Sequence, residues 1–193
     1  MFTGIIEGRG TIKTIEGNVF TITHPFKEGF AIGESIACNG MCATVLTSDE
    51  SQFTVEIIEE SRKLTTFGAA KVEDNINLER SAIIGSRNSG HNVTGHIDQV
   101  GVVSKLERQG DYWLIRVNVD RANRKFLVHK GSVALNGISL TISGVSNLED
   151  KEAWFEVSII SHTWEVTNLN SLIKETGVNV EFDVLGKYAL NQT

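Results

Sequence analysis

The sequence predicts an all-β chain of two tandem six-stranded Greek-key β-barrels with short helices, and three observations predict it. One unit is written twice. Each copy breaks into short runs rich in β-branched and aromatic residues, and each carries an Asn-Gly dipeptide between two apolar runs.

The repeat is plainest where GESIACNGMCATV (33–45) meets GSVALNGISLTI (131–142). Ser35 falls on Ser132, Asn39 on Asn136, Gly40 on Gly137, Cys42 on Ser139 and Thr44 on Thr141, at a constant offset of 97 residues. Upstream, FTGIIEGRG (2–10) resembles VTGHIDQVG (93–101), setting Thr3 on Thr94, Gly4 on Gly95 and Glu7 on Asp98. Downstream, INLERS (76–81) resembles VNVEFD (178–183) at an offset of 102, with Asn77 on Asn179 and Glu79 on Glu181. The second copy therefore holds about five extra residues, assigned to the SNLEDKEA loop. The expected organisation is a first domain at 1–86, a second at 87–188 and a short tail at 189–193.

Within the first copy, TIKTI and VFTIT alternate or cluster β-branched and aromatic residues, and SIAC and MCATV flank Asn39-Gly40. That dipeptide suits a type I′ turn, which needs positive φ at both central residues, and Asn136-Gly137 repeats the signal. FTVEII and NINLE complete the set, with candidate short helices at 61–68 and, in the second copy, at 162–173. Short strands with no long helical period favour a barrel closed on itself, which leaves no sheet edge.

Composition narrows the function classes. The 24 acids against 18 bases give a net charge of −6 with no basic run, so nucleic acid and anionic membrane are not expected partners. No window approaches the roughly 18 apolar residues of a membrane span, and no charged opening leads into an apolar stretch, so the chain is expected in the cytoplasm. Cys38 and Cys42, outside any Cys-x-x-Cys pair or histidine cluster, predict neither a metal site nor a disulfide framework.

Several polar residues are candidates for chemistry. Cys42 with Thr44, and Ser139 with Thr141, stand two apart and so share a strand face. Their plain alternative is bonding to nearby backbone. The segment SGHNVTGHID (89–98) holds His91 and His96, five apart and on opposite faces of an extended chain. His96 stands where the first copy has Ile5, Asp183 where it has Ser81, and Lys130 precedes Gly131 where the first copy has Ile32. Acid-base groups thus belong to one copy only, as two unlike half-pockets would require, although each could also be structural or solvated.

MFTGIIEG, CNGMCATV, SGHNVTGHID, LNGISLTI and VNVEFDVLGKY, in this order over nearly the whole chain, resemble riboflavin synthases of the homotrimeric, duplicated-domain type. The resemblance implies that two molecules of 6,7-dimethyl-8-ribityllumazine dismutate. One passes a four-carbon unit to the other, giving riboflavin and 5-amino-6-ribitylamino-uracil with no metal or cofactor. Each barrel would bind one lumazine, and the site would form between barrels of neighbouring subunits in a homotrimer. Many relatives continue into a C-terminal trimerising helix, whereas this sequence ends at Thr193, so a monomer is the alternative expectation.

Carried over by motif, Ser35, Cys42, Ala43 and Thr44 would line the first pocket, and Ser139 and Thr141 the second. His96 would move the proton of the acidic C7 methyl, with Cys42 and Ser139 the further catalytic candidates and Asp183 a polar partner. Gly4, Ile5, Ile6, Gly95 and Ile97 would supply backbone around the pteridine, with Lys130, Ser61, His162 and Thr163 closing the ring and ribityl sites. The chain departs from the family at Ser89-Gly90, where two glycines are usual, at Glu59-Glu60-Ser61 in place of Pro-Glu-Thr, and at Ala43 in place of Leu. Lumazine proteins of luminous bacteria, which hold a lumazine or flavin as an antenna without turnover, are the main rival reading. A purely structural or protein-interaction barrel is the other.

Overall fold

A computed structural model describes residues 1–190. Strands β1 (Gly8–Glu16), β2 (Val19–Thr23), β3 (Ser35–Cys38), β4 (Met41–Ser48), β5 (Gln52–Glu56) and β6 (Asn75–Arg80) close into one antiparallel barrel in the order β1-β2-β5-β4-β3-β6. Strands β7 (Gln99–Gln109), β8 (Tyr112–Val119), β9 (Ser132–Leu135), β10 (Ile138–Val145), β11 (Ala153–Ile160) and β12 (Gly177–Phe182) repeat that order in a second barrel. Register shifts fall at equivalent places, between Ile12 and Thr14 and between Val103 and Lys105, then between Val45 and Thr47 and between Ile142 and Gly144. A bulge bends its strand, and these four supply the curvature that closure demands.

Alternation along the strands fills the two interiors. Ile12, Phe20, Ile22, Ile36, Phe53, Val55 and Leu78 pack the first, and Val103, Ile115, Val117, Val133, Phe155, Val157 and Val180 the second. Cys38 belongs to the first core, where burial pushes its thiol well above the ordinary range. The longer loop of the second copy lies between β10 and β11, at the SNLEDKEA segment.

The expected helices form, but each is broken. Helix α1 (Glu59–Leu64) gives way to a 3₁₀ turn at Thr66–Gly68, and α2 (Ser161–Val166) to one at Asn168–Ser171. The breaks are Thr65 and Thr167, both extended, whose hydroxyls donate back to the carbonyls of Ser61 and Thr163 and cap the following turn. Two elements carried no expectation, a 3₁₀ segment at Arg121–Phe126 and helix α3 (Val184–Leu190). The Asp183 carboxylate accepts from Leu185 N at 3.0 Å and so starts α3. The expected tail at 189–193 begins inside α3, and 191–193 lie outside the described residues.

The barrels meet about a pseudo-twofold relation. Equivalent residues Phe2 and Val93 exchange two backbone hydrogen bonds, at 2.8 and 3.1 Å. The Asn39-Gly40 and Asn136-Gly137 turns face each other so closely that a Cβ on Gly40 would lie 2.6 Å from the Gly137 nitrogen. Behind them Asn77 Nδ2 donates to the Asn136 carbonyl and Asn179 Nδ2 to the Asn39 carbonyl, at 3.0 and 2.9 Å. Asn168, also buried, donates to Asn39 Oδ1 and Asn75 O and accepts from Asn77 Nδ2.

This packing predicts unequal costs for two glycine substitutions. Gly17→Ala, at a turn with positive φ and nothing within 4 Å, should lose about 1 kcal/mol of stability. Gly40→Ala should lose about 3 kcal/mol, because strain and collision with the opposite hairpin combine. Chemical denaturation of both variants checks the ordering.

Candidate active site: two crossed half-sites

The segment entering each barrel lends its backbone to the other barrel. Cys42 N, at the start of β4 in the first barrel, donates to Gly95 O at 2.8 Å, and Ser139 N, at the start of β10 in the second, donates to Gly4 O at 2.8 Å. Side chains follow the same exchange: Ile6 packs against the core of the second barrel and Ile97 against that of the first. The approach is close enough to require glycine. A Cβ on Gly4 would fall 2.6 Å from Cβ of Ser139, and one on Gly95 2.6 Å from Cβ of Cys42, with φ of 78° and 85°.

Two buried carboxylates hold these segments in place. Glu79 Oε1 accepts from Thr3 N and Thr3 Oγ1 at 2.7 and 2.8 Å, and its Oε2 accepts from Gly4 N at 3.0 Å. Glu181 treats Thr94 and Gly95 identically, at 2.7, 2.7 and 3.0 Å. Burial pushes both carboxyls above their ordinary value, against the three donors that favour the charged form.

The first half-site therefore gathers residues from both repeats. Cys42 is half-buried and Thr44 exposed on one face of β4, Ser35 pairs with Thr44 across β3, and Gly95, His96 and Ile97 lie against the Cys42 end. The Ala43 side chain lies on the opposite face, in the barrel core. Ser61, half-buried on α1, spends its carbonyl on Thr65. The His96 imidazole is exposed.

The second half-site joins Ser139, half-buried, and Thr141, exposed, to Gly4, Ile5 and Ile6; His162 and Thr163 stand on α2 in the places that Glu60 and Ser61 hold on α1. Lys130 aligns differently from the sequence expectation. Its N–H donates to Ile142 O as Gly33 N–H donates to Val45 O, so its structural equivalent is Gly33 and not Ile32. Lys130 adopts φ of 67°, a left-handed conformation that costs a lysine what it spares a glycine.

The expectation centred on His96, yet the histidine in contact with a candidate nucleophile or acid-base group is His91. Its Nδ1 lies 2.7 Å from Ser139 Oγ, while Nε2 is buried with no protein partner among the described residues. Burial lowers the pKa of His91, and the charge of Asp183 works in the opposite direction. Ser139 and His91 thus form an acid-base pair in the second half-site within reach of the Asp183 charge, where the first copy has Cys42 for Ser139 and Ser81 for Asp183. The sequence signal was His91 itself, set beside Gly90, where a Cβ would lie 2.9 Å from Cβ of Ser139. The spacing of SGHNVTGHID did not reveal which histidine turns inward, because the segment is no regular strand.

Clefts of about 480 and 440 Å³ lie between the barrels beside Asn168 and beneath the 82–89 linker, and of the expected residues they include only Ile5. Among the described residues no cluster of three or more His, Cys, Asp or Glu could hold a metal ion.

Comparison with known proteins gives a consistent result. The lumazine binding domain matches twice, at residues 3–81 and 94–183. Riboflavin synthase of Mycobacterium bovis is 39% identical over 97% of this chain and 96% of that protein. Riboflavin synthase of Bacillus subtilis is 35% identical over 97% and 87%, and that of Schizosaccharomyces pombe 35% identical over 97% and 91%. Among solved structures, LumP complexed with riboflavin superposes with a TM-score of 0.83 at 25% identity, covering 94% of this chain and 99% of that one. With two lumazine-binding domains in tandem and relatives matched over nearly their full length, this chain belongs to the riboflavin synthase family.

Proposed function

We propose that the chain is a riboflavin synthase: a transferase that moves four carbons from one 6,7-dimethyl-8-ribityllumazine to another, releasing riboflavin and 5-amino-6-ribitylamino-uracil. The observation that carries this reading is the pairing of two geometrically equivalent half-sites, only one of which holds the acid-base pair of His91 and Ser139. A dismutation needs two copies of one substrate held alike but treated differently, and duplication followed by divergence supplies such a pair.

The substrates bring most of the reactivity, so the protein's task is to hold two of them in register, which alone can contribute several kcal/mol. Backbone of Gly4–Ile6 and Gly95–Ile97 borders the two pteridines, and hydroxyls of Thr44, Thr141, Ser35 and Thr163 face the ribityl chains. His91, neutral at pH 7, accepts the proton of the donor's C7 methyl, with Ser139 orienting the ring and Asp183 stabilising the imidazolium. His96, exposed beside the first half-site, exchanges protons with the second lumazine, and Cys42 sits where Ser139 does in the other barrel. Lys130 reaches toward the ring or ribityl chain of the second ligand.

Thr44 of the first half-site and Thr141 of the second are exposed, as are the equivalent residues Ile58 and Ile160, which precede α1 and α2, at 56% and 63%. These features support a homotrimer in which the first half-site of one copy meets the second half-site of the next. No described helix is long and apolar enough to cross a membrane, and the reaction's water-soluble substrate supports placement in the cytoplasm. The likeness to LumP favours one rival, a lumazine-binding antenna without turnover.

Purified protein mixed with 6,7-dimethyl-8-ribityllumazine should form riboflavin, read by its absorbance. His91→Gln and Ser139→Ala should each slow it by about a hundredfold without changing the circular dichroism. Tight fluorescent binding with no riboflavin would establish the antenna reading instead.

The pH dependence has a definite sign. His91 has a folded pKa below its ordinary 6.5, so its stabilising contribution is fully present above that value and is lost as pH falls through the folded pKa. Denaturant titrations from pH 7.5 downward should show that loss in the parent protein and not in His91→Gln, and the acid limb of turnover should follow it.

A further inference from the structure

We infer that Glu79 and Glu181 are positioning residues that act across the barrel boundary, Glu79 of the first barrel setting the second half-site and Glu181 of the second barrel setting the first. The inference deepens the synthase reading, on which it rests for the identity of the ligands, but its geometry is independent of turnover.

The chain of contacts is short and is repeated twice. Glu79, 3% exposed on β6, takes all three donors that Thr3 and Gly4 offer, and Gly4 then presents its carbonyl to Ser139 N. Glu181, 1% exposed on β12, takes the donors of Thr94 and Gly95, and Gly95 presents its carbonyl to Cys42 N. Neither carboxylate has a cation within salt-bridge distance among the described residues, so backbone and hydroxyl donors are what keep the buried charge satisfied. That dependence makes each carboxylate a rigid anchor: displacing Thr3-Gly4 or Thr94-Gly95 would strip a buried anion of its partners. The anchored dipeptide, in contact with Ser139 or Cys42 through a position too close for any Cβ, carries the anchor's placement into the opposite barrel.

Glutamine at either position keeps one accepting oxygen but turns the other into a donor that faces the glycine N–H. In full-length protein, Glu181→Gln should raise the rate of Cys42 alkylation by iodoacetamide by about tenfold while leaving the hydrogen-exchange rate of the Ser139 amide unchanged. Cys38 is fully buried, so the reaction reports on Cys42. Glu79→Gln should do the reverse, speeding Ser139 exchange by about tenfold with Cys42 reacting as in the parent. Should either glutamine variant fail to fold, Thr94→Val and Thr3→Val, each removing one hydroxyl donor, should show the same crossed pattern more weakly. If each variant instead moves the reporter of its own barrel, moves both equally, or moves neither, the inference is overturned. Crossed reporters in a protein that makes no riboflavin would uphold the positioning role and sink the synthase reading. Crossed reporters together with riboflavin formation lowered in both variants would uphold both.

Discussion

Two Asn-Gly turns meeting glycine to glycine set the relation between the barrels, and the rest of the molecule is arranged around that contact. At Gly40 and Gly137 there is room for no side chain, so the hairpins can approach only as bare backbone. Bare backbone brings unpaired carbonyls into a buried place, and buried polar groups must be satisfied. Asn77, Asn179 and Asn168 do this with side-chain amides, each facing the opposite hairpin or the opposite strand end. Asn77 and Asn179, one residue written twice, satisfy each other's hairpins about a twofold relation as an isologous dimer does, and Asn168, standing where the first copy has Thr66, adds bonds in one direction only.

The same relation explains why each half-site is a joint product. Once the hairpins are back to back, the segments that enter the barrels at Thr3 and Thr94 run past the neighbouring barrel's β4 or β10, and their carbonyls become the partners of Cys42 and Ser139. A barrel alone would therefore lack part of its own half-site. Symmetry in the frame coexists with asymmetry in the chemistry: Glu79 and Glu181 bind their dipeptides alike, while His91, His96, Lys130 and Asp183 have no titratable counterpart in the first copy. Frame residues recur because the fold needs both, whereas the acid-base residues of the second copy diverge without disturbing that frame.

Much of this was legible before any coordinates. The Asn-Gly pairs, the alternation of VFTIT and the placement of the longer loop all read correctly because they depend on short-range backbone physics, whereas the bulge inside TIKTI did not show. The short helices were harder to delimit. Thr65 and Thr167 end them through bonds to Ser61 and Thr163, a choice open to any threonine and fixed here by the extended backbone at both residues. The register of Lys130 was misread by one residue, since a gap in a repeat can be placed in several ways until the hydrogen bonds of Lys130 N and Gly33 N show which backbone conformations match.

What the sequence by itself determined is the duplicated barrel, its family and the roster of polar residues from which a site could be made. The 97- and 102-residue offsets reveal the repeat, the short strand runs reveal the barrels, and the five motifs in order carry the resemblance to the family, because all of these are properties of the linear chain. Only the tertiary structure decided that Gly4 serves Ser139 and Gly95 serves Cys42, that Glu79 and Glu181 are anchors, and that His91 rather than His96 turns inward onto a serine. The separations run from 48 positions for His91 with Ser139 to 135 for Gly4 with Ser139, and the contacts of Gly4 with Ser139 and of Gly95 with Cys42 cross the boundary that the repeat draws. A repeat shows which residues are equivalent, but proximity arises from how the two copies pack, and that packing is set by buried glycines and asparagines whose partners lie in the other copy.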